Sequence, residues 1–176
     1  MAINTCEEAH RLHCVVDTSV WISLHKAGIL PEALLLINKG WVFLVTDAIE
    51  RELQEPTYEA LAAQGVRYYP LSEEANSRVQ ALTQTELALS EADASAVVAA
   101  QAVSALILTD DRPLREKAQE LRIQVHGTLW LLEQLVKAQL IDDAALCLAL
   151  ERMMAAGRRF PPHLVSRLKT HYNCSE

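Results

Sequence analysis

The sequence predicts an α/β fold, a three-layer α/β/α sandwich around a central, mainly parallel sheet of four to five strands, with further helices at the C-terminus. Three observations predict it. Short apolar runs alternate with segments of helical length and pattern, which is the signature of βαβ units. The runs are apolar almost throughout, as expected of strands buried on both faces. The chain has 176 residues, 51% hydrophobic and 22% charged, an ordinary globular composition for one domain with a real core.

The elements follow in order. Leu12 to Val16 is an apolar run ending in Asp17 and reads as the first strand. Thr18 and Ser19 cap a helix that stops near Gly28. Pro31 suits the first turn of a second helix, ending at Gly40. Trp41 to Val45 makes the second strand, and Thr46-Asp47 opens a helix to about Gln54, where Pro56 limits its continuation. Val66 to Leu71 is read as the third strand and Ser72 as the cap of the next helix. Ser90 caps a helix leading into Ala105–Thr109, the fourth strand; Asp110-Asp111-Arg112-Pro113 ends it and starts a helix to about Leu121. Ile123 to Val125 is the last strand, followed by helices over Thr128–Lys137, Asp142–Met154 and Pro161–Thr170.

This alternation has a chemical consequence. In a parallel sheet with helical crossovers, strand C-termini and the N-termini of the following helices share one edge. Asp17 follows the first strand, Glu52 lies in the helix after the second, Asp93 in the first turn of the helix feeding the fourth, and Asp110 and Asp111 end the fourth. Each acid alone has a plain reading: Asp17, Asp93, Asp110 and Asp111 suit helix caps, and Glu52 a solvated helix face. Together they place carboxylates distant in sequence at one edge, where mutual repulsion calls for a cation. An all-oxygen donor set points to Mg²⁺ or Mn²⁺ rather than Zn²⁺.

Other chemistries fit less well. Cys6, His10, His13 and Cys14 contain zinc-ligand types, but adjacent strand residues His13 and Cys14 face opposite ways. The glycines 28, 40, 65, 127 and 157 are isolated, which excludes a dinucleotide fingerprint or a P-loop, and no G-x-S-x-G elbow exists. A phosphoacceptor receiver needs its acid pair after the first strand, whereas here the pair follows the fourth. The four cysteines show no CxxC pairing and are expected as free thiols.

Charge is unevenly spread. Residues 1–151 carry 22 acids and 11 Lys/Arg, and residues 152–176 five basic residues and one acid, so the net charge of −7 divides as −11 and +4. The acidic body argues against general adhesion to nucleic acid, while Arg158, Arg159, Arg167 and Lys169, with Tyr172, form a basic tail suited to phosphate contact and stacking. The opening residues lack the apolar stretch of a secretory signal, and Ala94–Leu108 is interrupted by Ser95, Gln101 and Ser104. A cytoplasmic location without membrane contact is expected. Trp21, Trp41 and Trp130 are read as core or interface anchors, and Leu129, Leu132, Leu135 and Val136 as a helix face that packs in the core or extends into a dimer contact.

Four stretches, Val15-Val16-Asp17-Thr18-Ser19-Val20, Ile49-Glu50-Arg51-Glu52-Leu53, Leu89-Ser90-Glu91-Ala92-Asp93-Ala94 and Leu106-Ile107-Leu108-Thr109-Asp110-Asp111-Arg112, resemble in order and spacing the PIN-domain family of metal-dependent nucleases. The C-terminal part, with Gly127-Thr128-Leu129 and Gly157-Arg158-Arg159-Phe160, is similar to a toxin-like prokaryotic subgroup with a helical extension. The resemblance implies a PIN-like nuclease domain over residues 1–126 and a helical extension over 127–176 packed on it. It implies Asp17, Glu52, Asp93 and Asp111 as catalytic acids, with Asp17, Asp93, Asp111 and a supporting Asp110 around Mg²⁺ or Mn²⁺, and hydroxyls from Thr18, Ser19 and Thr109. Arg112 joins the basic tail as a nucleic-acid contact. The implied activity is endonucleolytic cleavage of RNA, single-stranded or structured, as the toxin of a toxin–antitoxin pair, with an antitoxin protein and a second copy of the chain as partners. Two rivals share the fold: a binding module that has lost turnover, and a processing or repair nuclease acting on structured RNA or DNA.

Overall fold

The computed structural model describes residues 11–174. Its centre is a five-stranded, all-parallel sheet in the order β3-β2-β1-β4-β5, flanked by helices, which is a PIN-like α/β/α architecture. The strands are β1 (Leu12–Val16), β2 (Trp41–Val45), β3 (Arg67–Tyr68), β4 (Leu106–Leu108) and β5 (Val125–His126). β1 is central, pairing Val15 with Leu44 on one side and Ile107 on the other. Cys14, Val15 and Val16 are accordingly buried. Between β1 and β4 the direction of winding reverses, and in such sheets the crevice beyond the strand ends at that point is where ligands sit.

The helices are α1 (Thr18–Ala27), α2 (Leu30–Leu34), α3 (Asp47–Glu52), α4 (Tyr58–Ala62), α5 (Glu73–Thr85), α6 (Glu91–Val103), α7 (Arg112–Glu120), α8 (Thr128–Lys137), α9 (Asp143–Ala155) and α10 (Pro162–His171). α1 ends where Gly28 takes φ 68°, a left-handed turn that a side chain would disfavour. α6 is the innermost helix. Ala92, Ala94, Ser95, Ala96, Val97, Val98, Ala99 and Ala100 are all buried, and such an all-round apolar helix needs cover on several sides. β1 and β4 lie against it, α3 packs beside it, and α5 covers its outer side, with Val79 seated on Ala94 and Val98. A second tie is polar. The Thr46 and Ser95 hydroxyls meet at 2.6 Å in a buried contact, joining the start of α3 to α6. On the opposite face α9 packs on α1, and Trp21 meets Phe43 edge-to-face with ring centroids 5.7 Å apart.

Several expectations are corrected. The second helix divides, α2 giving way at Leu35 to a 3-10 turn through Lys39. A helix stands after Pro56, where none was expected, because the Thr57 hydroxyl accepts the Ala60 N–H and starts α4 afresh. The third strand shrinks to Arg67–Tyr68 at the sheet edge, where Pro70 has no N–H to extend the ladder. The fifth moves to Val125–His126, since Arg122 turns with φ 57° and pairing begins beyond it. The cysteines are not all free: Cys147 and Cys174 form a disulfide joining α9 to the end of α10, while Cys14 is a buried free thiol. Cys6 and His10 of the weighed zinc set lie outside the described residues. Among the described residues no helix is long and apolar enough to cross a membrane.

Candidate active site

The site is built on Asp17. Its backbone N–H donates to the Leu108 carbonyl at 2.9 Å, pinning the end of β1 to β4, and its backbone, not its carboxylate, opens α1. The carboxylate therefore does no capping. One oxygen, Oδ2, receives the Ser19 hydroxyl at 2.5 Å and the Thr109 hydroxyl at 2.8 Å, and the residue is 6% exposed. Burial pushes its carboxyl above the ordinary range; the Ser19 and Thr109 donors pull it back, and the nearby charges of Asp93 and Asp111 push it up again.

Thr109 connects two acids. It is fully buried, and its hydroxyl donates to Asp17 while accepting the Asp111 N–H at 2.9 Å. The Asp111 carboxylate caps α7 through one oxygen, Oδ1, which accepts the Leu114 N–H at 3.0 Å. Asp93 sits in a complete capping box: its Oδ2 accepts the Ser90 N–H at 2.8 Å and its own N–H donates to the Ser90 hydroxyl. Burial raises the Asp93 carboxyl, the Ser90 contacts lower it, and Asp111 raises it further. Glu52, exposed at the end of α3, receives the Thr18 hydroxyl on Oε2 at 3.1 Å. The capping reading of Asp93 and Asp111 and their membership of one electrostatic cluster thus hold together, because each cap occupies one carboxylate oxygen.

Among the described residues no cation answers these charges. The ion pairs among the described residues engage none of Asp17, Glu52, Asp93 and Asp111. Nor do any three His, Cys, Asp or Glu side chains among the described residues close to metal-ligand distances. Asp93 and Asp111 lie near enough to raise the proton affinity of Asp17, and Asp111 that of Asp93, yet the acids are not drawn in around a point. Their donor chemistry, carboxylate oxygens without nitrogen or sulfur, suits a hard divalent cation.

Asp110 departs from the expected supporting role. It faces away from the other acids: Oδ1 accepts the Thr128 N–H at 2.9 Å, Oδ2 the Thr128 hydroxyl at 2.5 Å, and Arg158 lies 3.6 Å from Oδ2. Gly127 makes this possible, since a Cβ there would stand 2.6 Å from Asp110 Oδ1. Asp110 anchors α8 to the end of β4.

The expected nucleic-acid contacts do not form one patch. Arg112 is exposed and paired with Glu116 at 2.7 Å; Arg158 is taken by Asp110. Lys169 lines a cavity between α9 and α10 beside Glu151 and Cys147. Arg159 and Arg167 line a different cavity, next to Asp110. Two residues there were not singled out from sequence. Arg115 donates to the Thr109 carbonyl at 2.7 Å, and His126 stacks on Trp130 with centroids 3.8 Å apart and planes within 9°. Burial, then the Arg115 charge, lowers the His126 pKa, which favours the neutral ring. The available signal was positional, as His126 ends β5 at the carboxylate edge.

A parallel α/β/α sandwich with acids at its winding reversal has the architecture of a PIN-like fold. The chain belongs to the PIN-domain family: a family model described as a PIN domain matches residues 13–173. PIN domains are in general nucleases. No curated protein matches the chain. Among solved structures it is similar to a PilT N-terminus domain protein from the hyperthermophilic archaeon Sulfolobus solfataricus, at 17% identity and a TM-score of 0.47, covering 70% of this chain and 93% of that one. It is also similar to VapBC2 from Rickettsia felis bound to a DNA fragment from their promoter, at 13% identity and a TM-score of 0.47, covering 66% of this chain and 98% of that one.

Proposed function

We propose that the chain is a Mg²⁺- or Mn²⁺-dependent endoribonuclease, acting as the toxin of a toxin–antitoxin pair. The observation that carries the reading is the buried Asp17 carboxylate, held by hydroxyls, pressed by Asp93 and Asp111, and answered by no cation of the described chain. Asp17, Asp93 and Asp111 would hold the ion through oxygens not spent on hydrogen bonds or caps. When bound, the ion supplies a water of lowered pKa and offsets charge on the leaving oxygen.

The chain's own part is positional. Thr109 and Ser19 fix the Asp17 carboxylate, and the α6 and α7 caps fix Asp93 and Asp111, so little ordering remains at the moment of reaction. Glu52, exposed and steadied by Thr18, orients the attacking water and accepts its proton. Asp110 takes no part in ion binding.

Labelled single-stranded RNA incubated with Mn²⁺ tests this. The wild type cleaves and Asp17→Asn does not; equal behaviour of the two overturns the reading. One observation favours the rival binding module, namely that no three acids among the described residues close on a common point. That rival expects RNA or protein binding with no Mn²⁺-dependent turnover in either protein. Co-expression of a neighbouring small protein that relieves growth arrest tests the toxin assignment, and sedimentation tests the homodimer.

A further inference from the structure

A cavity of about 390 Å³ lies across the end of β4 from the carboxylates. Asp110 and Arg115 form its near side, and Arg115 is bonded to the carbonyl of Thr109, whose hydroxyl holds Asp17. One buried residue thus separates the two sites. Two aromatic elements line the cavity, the His126–Trp130 stack and the ring of Phe160. Three arginines, Arg115, Arg159 and Arg167, also line it.

Of the lining acids, Asp110 is consumed by Thr128 and Arg158, and Glu133 by Arg167 at 3.4 Å. Among the described residues Arg115 and Arg159 have no carboxylate partner. Among the described residues of a chain of net charge −7, two cations without a carboxylate partner thus stand beside aromatic surface, next to its acidic cluster. A cavity of this size admits one nucleotide unit, and the combination of π-face and guanidinium suits a base with its phosphate.

We infer that this cavity seats a nucleotide flanking the scissile phosphodiester of a single-stranded RNA, its base against Phe160 or the His126–Trp130 stack and its phosphate on Arg159 and Arg115. Its place beside the scissile bond rests on the nuclease reading. The binding site stands on its own residues. Phosphate held here draws a polyanion towards an edge that its acids alone would repel.

The test uses the whole chain in EDTA, with a 5′-fluorescein hexaadenylate followed by anisotropy across a salt series. Arg159→Ala, at an exposed position, weakens binding and lowers the salt slope by about 0.7, the value for one phosphate contact to a single strand. Phe160→Ala weakens binding about tenfold, the scale of one lost stacked base, and leaves the slope unchanged. Lys26→Ala, in the last turn of α1, changes neither. Adenosine 5′-monophosphate competes much more weakly than the hexamer. Unchanged binding in both Arg159→Ala and Phe160→Ala overturns the inference, as does an equal loss in Lys26→Ala, or competition by the monophosphate as strong as that of the hexamer, which would mark a free-nucleotide site. If Asp17→Asn abolishes cleavage while the two cavity variants bind normally, the cavity fails and the nuclease stands. If no protein cleaves but the cavity variants lose RNA, the nuclease fails and the cavity stands.

Discussion

Asp110→Ala separates two adjacent acids by role. Thr128 is fully buried, and both its N–H and its hydroxyl donate to the Asp110 carboxylate. Truncation leaves two buried donors without an acceptor; hydrogen bonds to charged groups contribute roughly 1.5–3 kcal/mol each, so about 4 kcal/mol is the expected loss. The Arg158 pair, at 3.6 Å, adds up to about 1 kcal/mol. For a chain of this length about 4 kcal/mol corresponds to a fall in Tm of roughly 8–16 °C. The assay is thermal unfolding by circular dichroism with EDTA and with Mn²⁺. The variant melts lower in EDTA, and Mn²⁺ raises its Tm by the same increment as wild type. A variant with wild-type Tm in EDTA and no Mn²⁺ increment refutes the argument, because Asp110 would then be a ligand and not an anchor.

Three further predictions follow from the same geometry. Burial raises the Asp17 carboxyl, so between the ordinary carboxylate range and its raised value the unfolded chain releases that proton first and stability falls as pH rises; in EDTA at pH 7 Asp17→Asn therefore melts above wild type, the gap closes in strong acid, and a gap of constant size across the titration would refute this. Ser95→Ala removes the buried partner of Thr46 and costs about 1–3 kcal/mol; because that contact sets α3 against α6, urea unfolding shows the loss and RNA cleavage falls further than the folded fraction accounts for. Cys174→Ser opens the link between α9 and α10, across a sequence separation of 27, and lowers stability by about 2–4 kcal/mol in chemical denaturation, with dithiothreitol reproducing the loss in wild type but not in the variant.

The core strands were legible because their runs are almost wholly apolar and each ends in a polar residue at one edge. β1 and β2 have the expected bounds, since Leu12–Val16 and Trp41–Val45 are flanked by unambiguous turn chemistry. The edge strands were not legible to the residue. β3 and β5 are two residues each, and their length depends on how far a neighbour offers hydrogen bonds, which no local pattern encodes. α4 was missed for a similar reason, as Pro56 signals an end and the restart depends on one hydroxyl at Thr57. At the site, topology brought the distant acids to one edge, but the different roles of Asp110 and Asp111 needed coordinates. Beyond a strand end the two-residue alternation continues: Thr109 and Asp111 face the Asp17 side and Asp110 the other, and which parity applies depends on where pairing stops. The disulfide was illegible because Cys147 lies on α9 and Cys174 just beyond α10, with no motif between them.

Cys14 sits in the middle strand of the sheet with 0% exposure, and burial pushes its thiol far above the usual range. A sulfur so placed is deaf to alkylating reagents until β1 itself parts from its neighbours. Its modification rate is therefore a native stopwatch for opening of the whole sheet. Read peptide by peptide in a mass spectrometer, it times the innermost strand without any engineered probe.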